Sequence, residues 1–152
     1  MSIIRNDRQV ALNDLLVAVE KSADHYQASA DSLQDHAPAV SRQLRELAGR
    51  RERLADVIKR EIQASGDLPS APDEDRESVE QLFQRVHASL APDQILDVLR
   101  QRLDAEDALA DLLSRIRDSE VGEGMDELLQ KASAQVRSAQ TQLRRSIFGS
   151  AD

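Results

Sequence analysis

Apolar residues recur along the chain at steps of three and four, the spacing that turns one face of an α-helix toward a core. Over residues 7–33 the recurring positions are Leu12, Leu15, Leu16, Val19, Ala23, Tyr26, Ala30 and Leu33. A turn near Asp35 follows, and Pro38 stands in a first helical turn, where its missing N–H costs nothing. The second helix runs from there with Val40, Leu44, Leu47, Leu54, Ile58 and Ile62 on one face, and Gly66 stops it. Residues 67–75 are rich in Pro, Asp and Ser, and Ser70 precedes Asp73 at the spacing of a capping box. A shorter helix is predicted over about 73–90, with Val79, Leu82, Phe83, Val86 and Leu90 on its stripe. Pro92 closes it and opens a third long helix over about 93–117, carrying Ile95, Leu96, Leu99, Leu103, Leu109, Leu113 and Ile116. Beyond a loop containing Gly122 and Gly124, a fourth helix over about 125–147 uses Leu128, Leu129, Ala132, Val136, Ala139 and Leu143. No stretch alternates polar and apolar residues as a half-buried strand does, so the expected fold class is all-α.

The lengths of the links predict the topology. Short connections make helices 1 and 2, and helices 3 and 4, two antiparallel hairpins. Between the hairpins lie residues 66–92, and the short helix there reaches roughly 25 Å at 1.5 Å per residue, most of a bundle's length. The expected architecture is a single domain over residues 1–152: a four-helix bundle with a long helical crossover between helices 2 and 3. A chain of 152 residues in that arrangement buries enough surface to hold a core without metals or disulfides.

Composition narrows the setting. Cysteine is absent, which removes disulfides and thiolate chemistry and fits a reducing compartment. Arg5, Asp7, Arg8 and Asp14 interrupt the N-terminal stretch, so neither a signal peptide nor a membrane span is read there and a cytoplasmic protein is expected. The net charge of −8 and the scarcity of aromatic residues, Tyr26, Phe83 and Phe148, argue against a nucleic-acid partner. Locally, residues 38–65 gather Arg42, Arg45, Arg50, Arg51, Arg53, Lys59 and Arg60 against Glu46, Glu52, Asp56 and Glu61. This reads as a solvated face of alternating sign, the alternative being an anion-binding stripe.

Counting to the midpoint of each helix places Ala23 and Tyr26, Arg51, Glu106, and Gln135 or Val136 in one layer. Arg51 and Glu106 interrupt apolar stripes with opposite charges, and burying either alone is expensive. A bridge between them across the bundle, with the Tyr26 hydroxyl completing its hydrogen bonds, is the expected buried polar layer. In the alternative both heads extend into water over apolar stems. Arg102, four residues before Glu106 on the same helix, competes with Arg51 for it. Tyr26 is expected as a core aromatic, and His25 beside it is expected to face solvent.

The segment Leu12-Asn13-Asp14-Leu15-Leu16 followed by Tyr26, the arginine-rich middle of the second helix, and Ala105-Glu106-Asp107-Ala108 resemble an uncharacterised bacterial ferritin-like family, a domain of unknown function, over most of the chain. The resemblance implies a ferritin-like bundle, whose di-iron members take a carboxylate from each of two helices and a Glu-x-x-His pair from each of the other two. This sequence departs from that pattern. Ala23 stands at the core position of the first helix, with Glu20 and Asp24 one step aside; Arg50, Arg51 and Arg53 occupy the second. The fourth helix offers Glu127, Gln130, Gln135 and Gln140, and no glutamate lies three residues before His25, His36 or His87. Glu106 alone remains as a ligand, and one carboxylate does not hold two metal ions. The expectation is an acidic, non-enzymatic bundle without cofactor or metal, acting through protein–protein binding or self-association, with Leu16, Val17, Leu112 and Leu129 available to a homodimer contact. The alternative is a metal-binding ferritin-like redox or iron-handling protein with a carboxylate site of Glu20, Asp24, Glu106 and Asp107.

Overall fold

The computed structural model of the protein describes residues 7–66, 92–119 and 124–149. They form four α-helices, α1 (Asp7–Leu33), α2 (Pro38–Ala64), α3 (Pro92–Asp118) and α4 (Asp126–Phe148), with no strand among the described residues. The first two begin at the predicted residues, and the last two each shift by a single residue at their ends. The predicted helix at 73–90, with its stripe around Phe83, and Gly122 lie outside the described residues.

Local chemistry accounts for the ends. Asp7, Asp93, Asp126 and Glu127 place negative charge in first turns and Arg115, Arg117 and Arg145 place positive charge in last turns, each matching the helix dipole. The α1–α2 link is closed by the Ala37 N–H donating to the Leu33 carbonyl at 2.8 Å, and Pro38 opens α2. Two helices stop by the same device: the Ser65 hydroxyl donates back to the Ile62 carbonyl and the Ser119 hydroxyl to that of Ile116, each at 2.7 Å. Gly66, at φ 84°, then turns the chain through the left-handed region that only glycine enters freely.

The core divides into two apolar clusters. One joins Leu12, Leu16 and Val19 of α1 to Leu54, Ile58 and Ile62 of α2, Leu109 and Leu113 of α3, and Leu129 and Ala132 of α4. The other joins Ala30 and Leu33 of α1 to Leu44 and Leu47 of α2, Val98 and Leu99 of α3, and Ala139 and Leu143 of α4. The C-terminal half of α2 thus shares its cluster with the C-terminal half of α3, so the two run in the same direction. Each is antiparallel to its own hairpin partner. Helix α1 packs beside α2 and α3, and α4 beside α3 and α2, so α2 and α3 face each other across the bundle's diagonal. No helix among the described residues is long and apolar enough to cross a membrane.

One expectation about packing is corrected. Leu16 and Leu129 lie inside the core at 0% and 2% exposure, which removes them from any homodimer surface; their neighbours Val17 and Leu112 are half-buried. Helix α1 is also buried beyond its stripe, at Asn13, Ser29 and Ser32. Asn13 and Ser32 satisfy their polar atoms on backbone carbonyls one turn earlier.

Candidate functional site

Where the two clusters meet, three polar side chains close the middle of the bundle. Arg51 is wholly buried, and Tyr26 and Glu106 are each 1% exposed. The Arg51 guanidinium donates through Nη2 to Glu106 Oε1 at 2.8 Å and through Nη1 to Oε2 at 3.1 Å, a two-pronged contact across the diagonal. The Tyr26 hydroxyl donates to the same Oε2 at 2.7 Å. Bonds of this kind, with one or both partners charged, are the stronger ones, and the planar fork also sets direction. The guanidinium carbon lies 5.7 Å from the centre of the Tyr26 ring, so the ring also supports the cation through its face.

The helices hold this layer for reasons local to each. Tyr26 follows Ala23 on the α1 stripe, and both are buried. Ser22, one turn before Tyr26, accepts from Arg51 Nη1 at 3.2 Å. From α4 comes Gln135, whose Nε2 donates to the Arg50 carbonyl at 3.2 Å, while Val136 beside it fills the core. The predicted layer of Ala23, Tyr26, Arg51, Glu106 and Gln135 or Val136 therefore stands at one height. Sequence reasoning overlooked Ser22; its signal was its place on the apolar side of α1, four residues before Tyr26.

Burial raises the ionisation of the Tyr26 phenol far above its ordinary range, and the neighbouring Glu106 charge adds to this. Arg102 behaves in the opposite sense: burial lowers its pKa, against the attraction of Tyr26 and Glu106. In the competition for Glu106, Arg51 takes both oxygens. Arg102 is nevertheless buried, at 7% exposure.

The four residues of the alternative metal site are not brought together. Glu20 turns to Lys59 at 3.7 Å, and Asp24 and Asp107 are exposed. Asp107 accepts from Gln140 at 2.8 Å, on the side of α4. Among the described residues no three His, Asp or Glu side chains converge on a point fit for a metal ion. The oxygens of Glu106 are already spent on Arg51 and Tyr26, and a guanidinium repels a cation; the donor set does not fit the di-metal centre that the ferritin-like resemblance implies. His36 is exposed, whereas His25 is half-buried with both ring nitrogens shielded from solvent. This corrects the expectation that His25 faces water: α3 lies along that side of α1, so a residue one step off the stripe still meets a neighbour.

Of the α2 cations, Arg51 is internal, Arg45 pairs with Asp31 at 2.9 Å and Lys59 with Glu20, while Arg42, Arg53 and Arg60 are exposed. Compared with known proteins, the chain matches no family model, no curated protein and no solved structure.

Proposed function

We propose that this chain is a non-enzymatic bundle of the ferritin-like kind, acting by protein–protein binding or self-association, in which an ion-pair layer stands where enzymes of that architecture hold metal. One observation carries the reading: Arg51 and Tyr26 engage both oxygens of Glu106 at the centre of the four helices. The layer cross-links two hairpins, and both oxygens of Glu106, the buried carboxylate among the described residues, are engaged in it. The antiparallel hairpins with α2 and α3 in parallel suit the same architecture.

Elemental analysis of protein purified without chelators is expected to find no stoichiometric transition metal. Added ferrous iron or manganese is expected to leave the Tm unchanged, because a ligand without preference for the native state cannot stabilise it. A rise in Tm that saturates at a fixed metal stoichiometry overturns the reading in favour of a metal-handling protein. Sedimentation velocity across a concentration series, together with co-purification under native conditions, tests the binding part. A chain that stays monomeric and co-purifies with nothing at defined stoichiometry overturns that part.

A further inference from the structure

A groove of about 430 Å³ runs between α1 and α3 beside the buried layer. Its walls are aliphatic at Ala18, Ala105, Leu109 and Leu112, and its polar lining includes Lys21, Arg102 and Arg115. No carboxylate is among the described residues that line it, in a chain whose net charge is −8.

Arg102 is the buried cation of that lining, and no described carboxylate bonds to it. It is more than nine-tenths buried, and its Nε has no hydrogen-bond partner. The nearest buried anion, Glu106, gives both oxygens to Arg51 and shares one with Tyr26. Two guanidinium groups against one carboxylate leave the buried layer with an excess positive charge. A buried charge without its complement is far costlier than an exposed one, and arginine does not escape by losing its proton at neutral pH. The Arg102 Nε is closed to solvent, whereas the terminal nitrogens are not among the shielded atoms, and it is they that meet an anion arriving through the groove that Arg102 lines.

We propose that the α1–α3 groove binds a monoanionic amphiphile, a carboxylate on an aliphatic tail, with its head on Arg102 and its tail along Leu109 and Leu112. One excess cation calls for one negative charge, and a carboxylate fits the guanidinium fork in two parallel bonds. The aliphatic lining, without an aromatic platform, suits a saturated chain. Lys21 and Arg115 draw the anion toward the groove from its rim. This goes beyond the reading of the chain as a non-enzymatic bundle and stands without it, since it uses neither the metal question nor a protein partner.

The test is calorimetric titration of the full chain with decanoate, with decanol, acetate and inorganic phosphate as comparators, repeated on Arg102→Met and Leu112→Asp. Decanoate is expected to bind saturably at one site, and the three comparators to bind far more weakly. Arg102→Met is expected to weaken decanoate by about 10- to 100-fold, the worth of a charged hydrogen bond, while melting no lower than the parent because an uncompensated buried charge has gone. Leu112→Asp is expected to weaken it comparably by placing a negative charge beside the tail. Absence of saturable decanoate binding overturns the proposal, as does unchanged affinity in Arg102→Met. Decanol binding as tightly as decanoate would make the groove merely apolar, and acetate or phosphate binding as tightly would remove the tail; either result also overturns it.

Discussion

Arg51 and Glu106 each need the other, because a charge left alone in a bundle core is costly whichever sign it carries. Glu106→Gln or Arg51→Met alone is expected to destabilise the chain by about 3–5 kcal/mol, with much of the loss recovered when both are replaced. The coupling energy from a double-mutant cycle in denaturant measures this, and a value near zero would mean that the contact contributes nothing. Tyr26 offers a second handle, since it is the chain's single tyrosine and the chain has no tryptophan. Its neutral form is favoured in the fold, so above the ordinary phenol pKa the unfolded chain releases a proton that the native chain keeps. Stability from this group is whole below about pH 10 and falls as pH rises beyond it. In an alkaline titration the phenolate absorbance is expected to appear only together with loss of the helical signal. Phenolate formation in a chain that remains helical would show a solvent-accessible Tyr26.

Pairs of helices add constraints that no single residue carries. Ser41, Ala48 and Ala55 are buried and recur at every seventh residue of α2, on the side from which the Ser41 hydroxyl donates to the Ala30 carbonyl of α1 at 2.6 Å. Ala23 and Ala30 repeat the same spacing on α1. Small side chains in register let the two backbones of the first hairpin approach closely. Ala48→Leu is accordingly expected to destabilise by about 1–3 kcal/mol through overpacking, and Ser41→Ala by about 1 kcal/mol through its lost hydrogen bond. Thermal or denaturant melts of the two variants read both values. The seven-residue repeat was present in the sequence, but the stripe of the second helix was read from its larger residues and passed over Ser41, Ala48 and Ala55. Their meaning depends on which helix lies opposite.

At the scale of the whole molecule, the polar layer joins the hairpins where the two apolar clusters meet, so the bundle is expected to unfold as one unit. Calorimetric and van't Hoff enthalpies should then agree, and separate transitions for the two hairpins would contradict the layer's role. Much of this design was legible in the chain itself. Period-3.6 stripes gave the helices, prolines and glycines gave their ends, and an arginine and a glutamate breaking those stripes at similar heights marked a polar layer. Those signals are local or depend only on helical geometry, which repeats along the sequence. The tertiary structure decided what depends on neighbours across space. It chose Arg51 over Arg102 for Glu106, although the two arginines are equivalent in charge and Arg102 is nearer in sequence, because only Arg51 reaches from the opposite corner of the bundle to both oxygens. It brought α3 against the flank of α1, turning His25 from a surface residue into a shielded one, and it decided between core and dimer surface for Leu16 and Leu129, which the stripes had left open to both. A sequence records which side of its own helix a residue occupies; which partner covers that side is fixed only when the helices assemble.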